Sequence, residues 1–164
     1  MTRYILAAVN NKSYSSLALV DDINVPNADK ILLPAKIDKC AEQLTGAISA
    51  IKPEVVMMFW QKPLPGEICI EIMASATEVY KTNYDYNDLV DYLKSKDYAT
   101  KISSSPGNSF SNGVYAKVLE YITKNDLSTR FLLIDIPVLI SRSELKSLAF
   151  ALEQFLKRDL ESEK

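Results

Sequence analysis

The sequence predicts an α/β domain of three layers, α/β/α, built on a mostly parallel central sheet. Three observations carry that expectation. Short apolar runs alternate along the chain with segments of helical period. Two of the runs, Val55 to Trp60 and Phe131 to Ile136, are apolar at successive positions apart from Asp135, as strands covered on both faces are. The stretches between strands are mostly long enough to hold the crossover helices that parallel neighbours need.

Taken in order, Tyr4 to Val9 reads as a first strand, followed by a polar loop at Asn10 to Ser13. Leu17 to Val20 is too short to assign, and Asn24 to Asn27 around Pro26 is loop. Lys30 to Pro34 carries a second strand. Ile37, Ala41, Leu44, Ile48 and Ile51 recur at helical spacing, with Asp38 in the first turn where it complements the helix dipole. Pro53 ends that helix, and Val55 to Trp60 follows as a central strand. Gln61 to Gly66, with two prolines and a glycine, reads as loop. From Glu67 to Met73 the pattern alternates, with Ile68, Ile70 and Ile72 on one side and Glu67, Cys69, Glu71 and Met73 on the other. Loop at Asn83 to Asn87 leads to a helix carrying Leu89, Val90 and Leu93. A short strand fits Ala99 to Ser103. The loop Ser103 to Gly107 then enters a helix with Val114, Val118 and Tyr121 on one face. After Phe131 to Ile136, Ser141 and Glu144 stand at capping-box spacing before a helix marked by Leu145, Leu148, Leu152 and Phe155. One domain is expected over 1–160, with a charged, frayed tail over 161–164.

Composition narrows the function classes. The chain has 164 residues, a net charge of −2 and no basic block, which argues against a nucleic-acid partner. The apolar stretch near Met1 is too short for a signal-peptide core or a membrane span, so no membrane association is expected. Two cysteines, Cys40 and Cys69, sit inside apolar patterns and read as free, buried thiols of a reducing compartment, the cytoplasm. With no histidine, the chain lacks an imidazole for acid–base work, and metal ligation would fall to carboxylates alone. Neither a metal nor a cofactor is expected. The segment Ser103 to Asn112 is not a phosphate loop, since it has one glycine and no lysine.

Three polar positions fall where open α/β sheets place their sites: Glu71, Ser111 and Asp135. Each also has a plain structural explanation. Glu71 could lie on a solvated strand face beside Glu67, Ser111 could cap a helix, and Asp135 could hold a turn before Pro137.

Four segments in order resemble the pyroglutamyl peptidase I (pyrrolidone-carboxylate peptidase) family. They are Lys30-Ile-Leu-Leu-Pro34 through Asp38-Lys39 and Ile51-Lys-Pro-Glu-Val-Val56; Ile68-Cys-Ile-Glu71-Ile-Met-Ala74; Ser103-Ser-Ser-Pro-Gly-Asn-Ser-Phe-Ser-Asn112 with Val114-Tyr115; and Phe131 to Leu139. The resemblance implies that family's three-layer, phosphorylase/hydrolase-like fold and a cysteine–histidine–glutamate peptidase site. Carried over, Glu71 keeps the glutamate, Ser111 replaces the nucleophilic cysteine and Asp135 replaces the histidine. Asn112 is retained as a substrate-side residue, and Lys81 lies near the place of a basic one. The family's ring-holding glycine and phenylalanine motif reads Val9-Asn-Asn-Lys-Ser-Tyr14, and its Gly-Gly-Arg loop reads Lys62-Pro-Leu-Pro65. The interval between Glu71 and Ser111 is shorter than in the family.

These replacements imply a loss of cysteine peptidase activity, because a hydroxyl depends more on a positioned base than a thiol does. Two adjacent carboxylates repel and favour one shared proton. The leading expectation is an inactive, binding or interaction protein taking a small molecule or peptide near Glu71 and Ser111. The alternative is a serine hydrolase using Ser111 with Asp135 and Glu71 at acidic pH. A lysine base, Lys81 or Lys117, is a further variant. A third class is a subunit role, with exposed Tyr80, Tyr84, Tyr86 and Tyr92 as a contact surface. The resemblance also implies self-association into homo-oligomers.

Overall fold

The computed structural model describes residues 3–63, 66–107 and 109–162. The chain runs β1 (Tyr4–Val9), α1 (Ser15–Asp22), β2 (Ala28–Leu33), α2 (Ile37–Ile51), β3 (Val55–Lys62), β4 (Ile68–Glu71) and a hairpin of β5 (Met73–Ser75) and β6 (Val79–Lys81). It continues through α3 (Asn87–Ser95), β7 (Thr100–Ser103), α4 (Phe110–Lys124), β8 (Arg130–Pro137) and α5 (Arg142–Ser162). Leu64 and Pro65, within a loop read from sequence, and Asn108, just after another, lie outside the described residues, as do 163 and 164 of the expected tail.

The main sheet has the order β2-β1-β3-β8-β4-β7. The first four strands of that order are parallel; β4 runs antiparallel to β8, and β7 is parallel to β4. β1 is buried at every position and β3 from Val55 to Phe59, which is why their sequences show no polar side. Alternate residues divide the core. Leu6, Met57, Ile70 and Ile134 meet α1, α3 and α5 on one face. Ile5, Met58 and Leu133 meet α2 and α4 on the other. The three-layer α/β/α expectation matches this architecture.

Several local readings are corrected by tertiary contacts. Ser15–Asp22 is a helix although its apolar run is short, because Leu19 and Val20 are fully buried and Ser15 Oγ donates to Gln61 Oε1 at 3.0 Å. β3 continues through Gln61 and Lys62, where loop was expected, because β8 offers them partners at Ile136 and Pro137. The alternating run Glu67 to Met73 breaks at Ile72. Its N–H donates to Ser103 in the main sheet at 2.9 Å, while its carbonyl accepts from Thr82 at the end of the hairpin at 2.8 Å. One strand thus becomes two in different sheets. α5 extends through Glu161 and Ser162, where fraying was expected, since a helix anchored by its buried apolar stripe carries good helix formers beyond it. The tyrosines expected as a contact surface are mostly interior: Tyr80, Tyr84 and Tyr92 are buried and Tyr86 is half-buried, their rings supplying apolar area to the core.

Helix ends follow local chemistry. Lys52 closes α2 in the left-handed conformation at φ 53°, as suits a residue that the following proline bars from the helical region. At the start of α5, Glu144 N–H donates to Ser141 Oγ at 3.2 Å and Ser141 N–H donates back to Glu144 Oε2 at 3.1 Å. The reciprocal pair is the capping box read from the sequence. Replacing Ser141 with alanine is expected to cost about 1 kcal/mol of stability, measured by urea unfolding, whereas Ser143→Ala, which leaves the box intact, should cost less than about 0.5 kcal/mol.

Candidate functional site

The strand periods that build the core also deliver polar groups to one place. On β8, Asp135 falls on the face shared with Leu133 and Phe131, beneath α4. On β4 the residues of that same face are Cys69 and Glu71, and the antiparallel register sets Cys69 opposite Asp135. On β3, Val56, Met58 and Trp60 point to this face, and two residues further on so does Lys62, at the strand's end. Lys62 Nζ ion-pairs with Glu71 Oε1 and lies 2.9 Å from Asp135 Oδ2. Both acids are buried, Asp135 completely, so one ammonium serves two carboxylates inside the protein. Cys69 completes the group, its thiol donating to Glu71 Oε1 at 3.6 Å.

The helix above supplies hydroxyls. α4 starts at Phe110, capped by Ser109, whose Oγ accepts from Asn112 N–H at 3.3 Å. Ser109 is therefore the cap, and Ser111, read as a candidate cap, sits inside the first turn with its hydroxyl 3.0 Å from Ser109 Oγ. Ser111 is buried. Asn112 lines the same space and is tied to the hairpin: its Oδ1 accepts from Ser75 N–H at 3.1 Å and its Nδ2 donates to Ser75 O at 3.0 Å. Both ends of that amide are thereby occupied by backbone. Tyr115 OH donates to the Glu71 carbonyl at 2.9 Å, fixing α4 over β4.

Between these groups lies a cavity of about 10 Å³, lined by Lys62, Glu71, Ser109, Ser111 and Tyr115 among others. That is room for about one water molecule. Lys81 is exposed on β6 and is not among its lining residues. Asp135 is not among them either; it lies deeper, behind Lys62 and Glu71. Beyond Lys62, Trp60 packs edge-on to Tyr14 at 5.6 Å and against Phe110 at 5.1 Å between ring centroids. Three aromatic rings thus fill the space between the segment before α1 and the start of α4.

Charge distribution follows from burial and pairing. Burial, with the Glu71 hydrogen bond added, pushes the Asp135 carboxyl up to about 7 despite Lys62. Burial acts on Glu71 in the same sense, but hydrogen bonds from Asp135 and Lys62 and the lysine charge outweigh it, and its pKa is lowered. The pair accordingly carries one proton, on Asp135, below neutrality. Burial would lower Lys62, yet its two acidic partners raise it above the ordinary lysine value. Cys69 is pushed up to about 12 by burial and by the two carboxylates, so it stays a thiol. Cys69, Glu71 and Asp135 bring ligand atoms within 4.8 Å of one another. A metal there would have to displace Lys62, which already supplies the positive charge. Both cysteines are free and buried.

Glu71, Ser111 and Asn112 therefore line one cavity, Asp135 is joined to Glu71 through Lys62 behind it, and Lys81 lies apart. Sequence reasoning missed Lys62. Its signal was present: counting by two from Val56 puts Lys62 on the face of two acids that cannot be buried without a cation.

No family model matches the sequence, and no curated protein matches it. Solved structures do. The pyrrolidone carboxyl peptidase of Thermococcus litoralis aligns with 100% of this chain and 97% of its own, at TM-score 0.80 and 16% identity. The fold is that of the pyrrolidone carboxyl peptidases. The pyroglutamyl peptidase I of Bacillus amyloliquefaciens aligns at TM-score 0.81 and 16% identity, over 93% of this chain and 94% of its own. A variant of the Pyrococcus furiosus pyrrolidone carboxyl peptidase aligns at TM-score 0.78 and 16% identity, covering 99% of each chain. The pyrrolidone carboxyl peptidase fold is thus present over the whole length at an identity that leaves activity open.

The triad of Lys62, Glu71 and Asp135 sets a pH dependence. Folded Asp135 holds its proton to about 7, whereas the unfolded chain releases it near the ordinary 3.8. The folded state binds more protons in that window, so stability falls as pH rises through it, by at most about 1.4 kcal/mol per pH unit. Glu71, whose pKa is lowered, works oppositely, its contribution being lost as pH falls below the ordinary 4.5. Denaturant unfolding between about pH 5 and about pH 8 should show the decline in the native chain and a flat profile in Asp135→Asn. Lys62→Met should cost about 3–5 kcal/mol at about pH 8, and less at about pH 5, where Asp135 is protonated.

Proposed function

We propose that this protein keeps the pyrrolidone carboxyl peptidase fold without its peptidase activity and acts in the cytoplasm as a binding or interaction protein. The observation that carries the reading is Lys62 lodged between Glu71 and Asp135. A general base must be free to accept a proton near the working pH, and a nucleophile must touch that base. Glu71 is held ionised against an ammonium, and a carboxylate so stabilised is a poor proton acceptor. Lys62 is raised by its acidic partners, the opposite of the lowering that turns a lysine into a base. The Ser111 hydroxyl bonds to Ser109, and Cys69 remains protonated.

Room is also against turnover. The cavity beside Ser111 takes about one water, far below the roughly 300 Å³ of a typical small-molecule site. The Tyr14, Trp60 and Phe110 rings occupy the neighbouring space. A ligand seated beside Glu71 and Ser111 would require that space to open.

One observation favours a serine hydrolase as a second reading: Asp135, with its pKa near 7, is in the range of a general base. Against it, Asp135 lies behind the ion pair rather than on the Ser111 cavity.

Incubation with a pyroglutamyl aminomethylcoumarin substrate at neutral pH is expected to release no fluorophore above a protein-free control, and a fluorophosphonate probe should leave Ser111 unlabelled at acidic and neutral pH. Turnover that disappears in Ser111→Ala, or labelling confined to Ser111, would replace the first reading with the second.

A further inference from the structure

With the Glu71–Ser111 cavity closed, two larger concavities on the opposite face of the sheet come into view. A groove of about 530 Å³ opens between α3 and α5, lined by Tyr92, Lys96, Tyr98, Phe150 and Arg158 among others. A second concavity of similar volume adjoins it and shares Tyr92, Lys96 and Arg158. The size falls within the roughly 300–1,000 Å³ of small-molecule sites. We propose that this groove binds a small planar anion of the nucleoside monophosphate kind.

The argument begins with Tyr92, which is buried in the wall against Phe155 at 5.2 Å. Arg158 lies over its ring at 4.6 Å and Lys96 at 5.6 Å. Neither cation forms an ion pair among the described residues, and both are exposed, so their donors remain available to an incoming anion. A ring-supported guanidinium is partly pre-organised, which reduces the entropy lost on binding a phosphate. Around them, among the described residues, the groove carries the cationic side chains Lys96, Lys157 and Arg158 and the carboxylate Glu161. Lys157 is committed to Glu153 at 2.8 Å, leaving Arg158 and Lys96 as the phosphate donors.

The remaining lining selects the rest of the ligand. Phe150 is 62% exposed at the edge of the groove, an unusual place for a phenylalanine and a ready stacking surface for a planar ring. Tyr98 stands nearby with its hydroxyl donating to Ser147 Oγ at 3.0 Å, and Gln154 adds an amide. Asp88 and Asp91 line the adjoining concavity beyond Tyr92. These carboxylates share that concavity with Lys96 and Arg158, so each added phosphate meets more negative charge and a monophosphate fits better than a polyphosphate.

The test is a nuclear magnetic resonance titration of the full-length, isotope-labelled chain with adenosine monophosphate. Shifts should concentrate on α3 and the Phe150–Arg158 part of α5. Arg158→Gln and Lys96→Gln should each weaken binding about tenfold, the loss of one charge-assisted contact. Lys124→Gln, a surface change on α4, should leave it unchanged. Adenosine and inorganic phosphate offered singly should each bind at least about tenfold more weakly than the joined molecule. Absence of shifts at millimolar nucleotide would overturn the proposal. So would equal binding by phosphate alone, by the two charge variants, or tighter binding by a polyuridylate strand, which would point to a nucleic-acid surface instead. None of these results depends on whether Ser111 or Glu71 has chemistry, so the inactive reading and this one stand or fall separately.

Discussion

The structure turns on an electrostatic constraint: two carboxylates cannot be buried side by side without a cation, and here a lysine from the neighbouring strand supplies it. Lys62 reaches Glu71 and Asp135 from the last residues of β3. This contact joins β3, β8 and β4, the three strands across which the sheet changes from parallel to antiparallel. A buried ion pair of this kind contributes little net stability against an apolar equivalent, yet leaving either side unpaired is costly. The triad therefore constrains the arrangement of strands more than it strengthens it.

That constraint also governs reactivity. Catalysis by a serine or cysteine needs a base whose lone pair is free and whose pKa sits near the working pH. Here Glu71 Oε1 is held by an ammonium and a thiol, and the group whose pKa lies near 7 is fully enclosed. Asn112 is clamped to the hairpin backbone at Ser75, and Tyr115 ties α4 to β4. Polar residues that could meet a substrate instead meet one another. The space is closed by side chains of the same chain.

The two sides of the sheet consequently differ. Beneath α2 and α4 the polar groups are satisfied internally and the cavity is the size of a water. Between α3 and α5 an open groove leaves Lys96, Arg158 and the Phe150 ring facing solvent. Among the described residues no helix is long and apolar enough to cross a membrane, in keeping with the alternation of apolar and charged positions along α5.

The period of apolar residues along the chain was enough to determined the layers: β1, β3, β8, α2 and α5 follow from runs and spacings whose range is a few residues. The capping box at Ser141 and Glu144 was equally legible, because both partners lie within one helical turn. The resemblance in four segments also pointed to Glu71, Ser111 and Asp135, of which Glu71 and Ser111 line one cavity while Asp135 is joined to Glu71 through Lys62. What needed tertiary structure was anything set by strand pairing. The antiparallel placement of β4, the break at Ile72 and the extension of β3 to Lys62 depend on partners far along the chain. Lys62 looked like loop for that reason, and the bonds that tie Asn112, read as a substrate-side residue, to Ser75 have no signature in the local sequence. Local sequence records periodicity and helix caps because their energies are local. The charge state of a buried pair belongs to the assembled sheet, because only there do its members meet.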